Sequence, residues 1–189
     1  AERTVRYFGL VPKWGKNVSK RAGYLGGSID ERADDLNAMF ADDAVKAVFA
    51  IRGGYGSAQI LPEIDYEAIK RHPKIFVGYS DITAMHLAIH KMTGLVTFHG
   101  PVPLSAFTDY TQAAYKKALF GTAPLGELTN PPESNGLRPK HILRPVRPGK
   151  ARGPLVGGNL SLVASTMGTP YEIDARGKPF GDAEAVSVI

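Results

Sequence analysis

Apolar and polar positions alternate along this chain in blocks that predict strands and helices in turn. Residues 44–51 form a nearly continuous apolar run, which is typical of a strand covered on both faces. A second apolar run at 74–79 predicts another strand, and residues 81–92 repeat apolar positions at helical spacing. A third strand is predicted at 95–98. The alternation of strand and helix predicts an α/β fold built on a parallel sheet.

Local end signals predict the remaining helices. Ser28 and Glu31 have the spacing of a capping box, which predicts that an amphipathic helix begins there. Residues 66–71 predict a short helix, and residues 110–119 predict a longer one. Asn159 is placed to cap a helix that runs to about residue 167.

Changes in composition along the chain predict that it has three parts. Residues 1–125 carry the predicted parallel sheet and form an α/β domain. Residues 126–153 are rich in proline, glycine and basic side chains, so they predict a linker. Residues 154–189 then begin a second domain.

Composition excludes several classes of site and protein. The chain of 189 residues is 43% hydrophobic and 22% charged, which is ordinary for a globular protein. It contains no cysteine, so disulfides, thiolate nucleophiles and cysteine metal sites are excluded. That usage agrees with a reducing cytoplasm. No apolar run approaches the roughly 20 residues that cross a bilayer, so we predict no membrane partner.

The net charge of +5 is concentrated in one stretch. No acidic residue lies between Glu133 and Glu172, and six basic residues fall there: Arg138, Lys140, Arg144, Arg147, Lys150 and Arg152. The stretch fits an anion or nucleic-acid patch, or a solvated linker. Prolines interrupt it and no aromatic side chains interleave for base stacking, so we favour the linker and predict no nucleic-acid partner.

Ser80 is the leading candidate for chemistry. Residues 78–81 read Gly-Tyr-Ser-Asp at the seam between a predicted strand and a predicted helix. In a nucleophile elbow, such a serine presents its hydroxyl outward and the next N–H helps to hold an oxyanion. The alternative is that Ser80 or Asp81 only caps the helix. Position 82 is isoleucine, where the elbow pattern of hydrolases has glycine.

A glycine-rich loop follows the first predicted strand, and three interpretations of it remain open. Its sequence, Arg52-Gly53-Gly54-Tyr55-Gly56-Ser57, lacks the Lys-Ser/Thr end of a phosphate-binding P-loop. It can instead offer backbone N–H groups to an oxyanion, with Arg52 near a substrate carboxylate. It can also be a tight turn and nothing more. Because parallel strands place their carboxyl ends at one edge, the loop and Ser80 are expected to be neighbours.

The histidines show no obvious catalytic pair. His86 and His90 lie four apart on a predicted helix, which fits metal binding, but an ordinary polar helix face is the favoured interpretation. His72 and His141 are predicted at the surface. His99 follows a strand end and is the histidine expected near Ser80, with a pocket-lining or structural role.

Several motifs in order resemble the L,D-carboxypeptidases, serine peptidases also called muramoyltetrapeptide carboxypeptidases, which include the microcin-C immunity peptidases. The matching stretches are Gly23-Tyr24-Leu25-Gly26-Gly27, the run from Asp30 to Leu36, the Arg52 loop, Gly78-Tyr79-Ser80-Asp81-Ile82-Thr83, His99-Gly100-Pro101, Leu155-Val156-Gly157-Gly158-Asn159-Leu160 and Gly168-Thr169-Pro170. The resemblance reaches to about Lys178.

The resemblance implies a cytoplasmic, homodimeric hydrolase that removes the terminal D-alanine of murein tetrapeptides without a metal or cofactor. Ser80 would be the nucleophile, and the N–H groups of Asp81 and Gly54 would form the oxyanion hole. The substrate would bind through Arg52, Gly53, Tyr55 and His99. The resemblance also implies an α/β N-terminal domain and a smaller, β-rich C-terminal domain.

Two departures from the family pattern shape the expectation for activity. The family's first strand and helix are missing before Ala1, and its Glu and His triad partners come from the C-terminal domain. Here Glu184 is a weak positional candidate and no later histidine follows. We therefore expect a chain truncated at both ends and impaired as a peptidase, because losing a triad base lowers rates by orders of magnitude.

Three alternatives remain open beside the murein carboxypeptidase. The chain would be a murein-peptide-binding α/β module without catalysis, a microcin-type hydrolase of peptide-nucleotides, or a phosphate- or nucleotide-binding domain that uses the loop at 52–57. The last is the least favoured, because the loop lacks both established phosphate-binding patterns.

Overall fold

The computed structural model describes residues 1–127, 129, 148–150 and 152–174, together with the backbone of 180–182. Six helices lie in this part: α1 (Glu2–Tyr7), α2 (Ile29–Ala41), α3 (Tyr66–Arg71), α4 (Thr83–Thr93), α5 (Asp109–Phe120) and α6 (Leu160–Thr166). Its five strands are β1 (Ala47–Phe49), β2 (Ile75–Gly78), β3 (Phe98–His99), β4 (Val156–Gly158) and β5 (Phe180–Asp182). Two 3-10 turns cover Ser57–Glu63 and Ser80–Ile82.

The first three strands form one parallel sheet in the order β1-β2-β3. β1 and β2 lie within their predicted runs and are shorter, whereas β3 overlaps the predicted run at 95–98 only at Phe98. The backbone N–H of Ala50 donates to the carbonyl of Val77 at 2.9 Å, and that of Gly100 donates to Gly78 at 2.9 Å. These bonds align the carboxyl ends of the three strands, so the predicted α/β fold with a parallel sheet is confirmed.

The core lies between the sheet and its covering helices. Phe40 of α2, Phe76 of β2 and Ile89 of α4 are each at most 1% exposed and belong to one apolar cluster. The Phe40 and Phe76 rings lie 6.2 Å apart between centroids. The side chains that gave the helices their apolar periodicity therefore anchor α2 and α4 to the sheet.

The predicted helix ends are confirmed in detail. The Ser28 side chain accepts a hydrogen bond from the Glu31 N–H, and the Glu31 carboxylate accepts one from the Ser28 N–H. Asn159 caps α6 by accepting from the Leu162 N–H at 3.2 Å. Such caps fix where the chain enters each helix, because they satisfy N–H groups that have no partner within it.

A second, two-stranded parallel sheet follows, made of β4 and β5. The backbone N–H of Asn159 donates to Thr83 Oγ1 at 3.0 Å, which joins the end of β4 to the first turn of α4. Val163 of α6 packs with Leu87 of α4 in a small apolar cluster. The division into 1–125, 126–153 and 154–189 stays a prediction, and most of the basic stretch and Glu184 lie outside the described residues.

No helix in the described ranges has the length and hydropathy needed to cross a membrane.

Candidate active site

Ser80 stands in a strained turn directly after β2. Its φ of +58° is the only positive value at a non-glycine position in the described part of the chain. An L-residue in that region costs about 1–2 kcal/mol, so the surrounding contacts must hold it there. The side chain is half-buried, at the seam that the sequence predicted.

The isoleucine at position 82 has a structural explanation. A Cβ placed on Gly78 would lie 2.3 Å from Ile82 Cγ2 and 2.7 Å from Ile82 Cβ. The Ile82 side chain therefore fills the space that the missing side chain of Gly78 leaves open. The turn keeps the tight geometry of an elbow with glycine on one side only.

The glycine-rich loop after β1 lies against Ser80. A Cβ placed on Gly53 would lie 2.9 Å from Ser80 Cβ and 3.4 Å from Ser80 Oγ. Only a glycine allows the loop backbone to come this close to the hydroxyl. The predicted proximity of the loop and Ser80 is therefore confirmed.

Two backbone N–H groups near this contact lack a backbone partner among the described residues. None of the described backbone carbonyls accepts a hydrogen bond from the N–H of Gly54 or of Asp81. Asp81 directly follows Ser80, and Gly54 directly follows the glycine that contacts it. Unpaired N–H groups beside a serine hydroxyl are the donors that stabilise a developing oxyanion.

The buried Asp81 side chain connects the turn to the loop. Its Oδ2 accepts a hydrogen bond from the backbone N–H of Ser57 at 2.8 Å. Ser57 begins the 3-10 turn that ends the glycine-rich loop. The carboxylate thus fixes the distance between the two segments.

His99 lies beside Ser80, as the sequence predicted. The Ser80 backbone N–H donates to His99 Nε2 at 3.2 Å, and β3 pairs with β2 so that His99 is opposite Gly78. Burial lowers the pKa of His99, and a hydrogen bond to its own backbone carbonyl acts in the opposite direction. To accept from the Ser80 N–H, Nε2 must present a lone pair, and only the neutral ring has one.

His86 was missed as a residue of this site. The sequence favoured an ordinary polar helix face through His86 and His90, with Asp81, Thr83 and Lys91 nearby. Of these five residues, Asp81, Thr83 and His86 are buried, so the interpretation is wrong for them. The helix packs this face on the sheet, where the polar groups find partners. His86 Nε2 lies 3.1 Å from the Gly78 carbonyl and Nδ1 lies 2.8 Å from Thr97 Oγ1. Burial lowers the pKa of His86 to about 3.

The outer edge of the site is aromatic and basic. Tyr55 is 68% exposed and its ring lies 5.9 Å from that of Tyr24. The Arg52 guanidinium lies over Gly54, where a Cβ would be 3.5 Å from its Nη2. Among the described ion pairs, none involves Arg52, so its charge is available to an anion.

The described residues provide neither a metal site nor a proton acceptor for the Ser80 hydroxyl. Within the described ranges, no group of three or more His, Asp or Glu residues has the arrangement to hold a metal ion. The hydrogen bonds of the described residues include none that accepts the Ser80 hydroxyl proton, and His99 Nε2 is occupied by the Ser80 N–H. His141 and Glu184 lie outside the described residues.

Comparisons with known proteins identify relatives of this chain. A family profile described as the LD-carboxypeptidase N-terminal domain matches residues 1–100. The probable murein peptide carboxypeptidase of Bacillus subtilis is 51% identical over 175 residues, covering 90% of this chain and 52% of that protein. The microcin C7 self-immunity protein MccF of Escherichia coli is 33% identical, covering 83% of this chain and 52% of that protein.

A solved structure gives the same result at the level of the fold. The MccF-like protein from Bacillus anthracis superimposes with a TM-score of 0.83 at 29% identity, covering 96% of this chain and 59% of that one. The chain spans about half the length of the two relatives, 52% in each case. With the profile matching more than half of its residues, the chain belongs to the LD-carboxypeptidase family.

Proposed function

We propose that this chain carries the nucleophile and oxyanion hole of a serine carboxypeptidase that hydrolyses the L,D-peptide bond to the terminal D-alanine of murein tetrapeptides. The observation that carries the proposal is Ser80 itself. It is a half-buried serine at φ +58° between a strand and a helix, with the Gly53 backbone against its side chain. Murein peptides enter the proposal through the Bacillus subtilis relative.

In this mechanism, Ser80 Oγ attacks the carbonyl carbon of the scissile bond while its proton passes to a general base. The N–H groups of Asp81 and Gly54 stabilise the negative oxygen of the tetrahedral intermediate. The base returns the proton to the departing amine, D-alanine leaves, and water hydrolyses the acyl-enzyme. The base and its orienting carboxylate are expected from C-terminal residues outside those described here, as the resemblance implies.

The charge of Arg52 indicates where the terminal carboxylate of the substrate would bind. A carboxypeptidase must recognise a terminal carboxylate, and Arg52 offers a guanidinium without an acidic partner among the described residues. A guanidinium binds a carboxylate through two parallel hydrogen bonds. We assign Arg52 this role, with Gly53 and Tyr55 lining the substrate. His99 as a direct substrate ligand stays a prediction, since its Nε2 already accepts from Ser80.

Location and assembly are part of the same proposal. A cytoplasmic protein that acts as a homodimer is what the family resemblance implies. Cell fractionation of the native protein and its sedimentation velocity test these two points independently of catalysis.

Release of D-alanine by the full-length protein tests the reaction. Wild-type protein is expected to release D-alanine from a murein tetrapeptide and to react with a fluorophosphonate probe. Ser80→Ala is expected to lose at least about 1000-fold in turnover, as when a serine nucleophile is removed. Ser165→Ala is the matched control, because Ser165 is exposed and bonds only within α6. Undiminished turnover by Ser80→Ala contradicts the proposal.

A second candidate is a microcin-type hydrolase of peptide-nucleotide compounds, which the 33% identity to MccF supports. Murein tetrapeptide and an aminoacyl-sulfamoyl nucleoside, compared as substrates under one set of conditions, distinguish the two reactions. Binding of either compound without product release identifies the third possibility, a binding module without catalysis.

A further inference from the structure

The geometry around Ser80 raises the question of what holds a strained residue in place. Ser80 forms two kinds of contact. The backbone of Gly53 lies against the Ser80 side chain, and the Ser80 backbone N–H donates to His99 Nε2 at 3.2 Å. The first contact only limits space. The second has a direction, because a hydrogen bond fixes the orientation of the peptide unit before Ser80.

The bond from Ser80 defines which nitrogen of His99 carries a proton. A backbone amide always donates, so Nε2 must present a lone pair. A neutral imidazole carries its single proton on the nitrogen that does not accept, so the proton resides on Nδ1.

His86 forms the layer behind His99, in the opposite tautomer. Its Nε2 lies 3.1 Å from the Gly78 carbonyl, so Nε2 carries the proton and donates. Its Nδ1 then accepts from the Thr97 hydroxyl at 2.8 Å. The ring is fully buried and its centroid lies 5.8 Å from that of His99.

The described groups found against His99 carry no charge, and the carboxylate of Asp81, which follows Ser80, is bonded to the Ser57 N–H. His86 faces His99 from α4, and His99 lines a cavity of about 130 Å³ together with Tyr110 and Tyr115 of α5. The described lining of this cavity includes no Asp, Glu, Lys or Arg. His99, at the end of β3, and His86, on α4, are both buried, so an imidazolium at either position would be desolvated.

We propose that His99 and His86 form a neutral imidazole pair that positions the nucleophile, His99 by accepting from the Ser80 N–H and His86 by donating to the Gly78 carbonyl. His99 is then a positioning residue that acts through the backbone, distinct from the general base. The catalytic consequence rests on the proposed function, whereas the tautomers and the bonds do not.

The pair acts on the two peptide units that flank Tyr79. One is fixed at its carbonyl by His86 and by the Gly100 N–H, and the other at its N–H by His99. With both units fixed, the φ and ψ of Tyr79 are restrained, which holds the peptide plane from which the chain enters the Ser80 turn. Protonation of His99 at Nε2 places two N–H groups face to face and removes this restraint.

The test is the tautomeric state of each ring in the ¹⁵N-labelled full-length protein, by long-range ¹H–¹⁵N correlation at neutral pH. We expect His99 as the Nδ1–H tautomer and His86 as the Nε2–H tautomer, with assignments from His99→Gln and His86→Gln. Ser80→Ala must leave the His99 pattern unchanged, since it keeps the backbone N–H. His99 as a cation or as the Nε2–H tautomer overturns the proposal.

A kinetic arm tests positioning itself. His99→Gln keeps an oxygen that can accept from Ser80 N–H, and His99→Leu does not. We expect His99→Leu to lower kcat by about 100-fold with little change in KM, since small misplacements of a reacting group have effects of that size. His99→Gln should recover at least tenfold of that loss. Equal kcat values for the two variants contradict the positioning role. If the wild-type protein shows no turnover, the proposed function fails and the tautomers still decide this inference.

Discussion

The Asp81 carboxylate accepts a hydrogen bond from the backbone N–H of Ser57, and both residues are buried. One residue thereby contributes twice, through its backbone at the candidate oxyanion hole and through its side chain at the far end of the glycine-rich loop. Asp81→Ala would leave the Ser57 N–H buried without a partner, which costs about 1–3 kcal/mol. We expect that loss in the free energy of unfolding, measured by urea denaturation.

A second substitution at position 81 tests whether the loss depends on the acceptor oxygen. Asp81→Asn keeps an acceptor oxygen, so it should lose less stability and retain more turnover than Asp81→Ala. Asp34→Ala is the control, because Asp34 is exposed on α2 and its removal should change stability by less than about 0.5 kcal/mol. Equal effects of the Ala substitutions at positions 81 and 34 would show that the bond to Ser57 does not matter.

The close approach of Gly53 to Ser80 predicts that one added methyl group lowers the reactivity of the serine. A methyl group at Gly53 would meet Ser80 Cβ at 2.9 Å and the Tyr79 carbonyl at 3.2 Å. Gly53→Ala should therefore displace the loop and slow fluorophosphonate labelling of the full-length protein by about 100-fold. Gly26→Ala is matched to it, since a Cβ on Gly26 would meet nothing within 4 Å, and it should label at the wild-type rate. Rapid labelling of Gly53→Ala would refute the contact.

The Gly78 and Ile82 pair predicts coupling between two positions. Gly78→Ala brings a methyl group to 2.3 Å from Ile82 Cγ2 and should destabilise the protein by at least about 1–3 kcal/mol. Ile82→Ala removes the obstacle, so the double variant should be more stable than the sum of the two losses predicts. A double-mutant cycle in urea measures this, with an expected coupling energy of at least about 1 kcal/mol. Strict additivity would mean that Ile82 does not occupy the space at Gly78.

Acid should destabilise the fold through its buried histidines. Both His86 and His99 have a lowered pKa in the folded protein, His86 to about 3, whereas an unfolded histidine titrates near 6.5. Below about pH 6.5 the unfolded state binds more protons, so the stability that the neutral rings contribute is lost as the pH falls. Each unequal proton contributes a slope of about 1.4 kcal/mol per pH unit.

Urea denaturation between pH 7 and pH 4 measures that slope, with His86→Gln as the comparison. The variant removes one of the titrating groups, so its free energy of unfolding should fall less steeply with pH, by up to about 1.4 kcal/mol per pH unit. An unchanged slope in His86→Gln would exclude His86 as a source of the acid sensitivity.

Features that depend on residues close together in the chain are easier to predict from the sequence than features that depend on tertiary packing. The helix caps at Ser28 and Asn159 and the strand before Ser80 were predictable, because each depends on residues within a few positions. The neighbourhood of the glycine-rich loop and Ser80 was also predictable, since parallel strands end at one edge of a sheet.

The burial of His86 was not predictable from its helix alone. Its spacing from His90 fits an exposed face equally well, and the outcome depends on the sheet that covers it. The signal that could have indicated a buried His86 was Thr97, the one polar residue in the predicted strand at 95–98, because a buried hydroxyl needs a polar partner. The complementarity of Gly78 and Ile82 was likewise invisible, because it depends on the backbone turn between them.

The contact between Thr83 and Asn159 joins the start of the second sheet to the helix that follows the Ser80 turn. It lies three residues beyond Ser80, and the Gly158 backbone is so close that a Cβ there would meet Thr83 Cγ2 at 2.5 Å. Because a hydrogen bond and a close packing contact meet at this one residue, a displacement of β4 would be transmitted to α4 within one turn of Ser80. Thr83 is therefore the residue through which the position of the C-terminal segment and that of the Ser80 turn depend on each other.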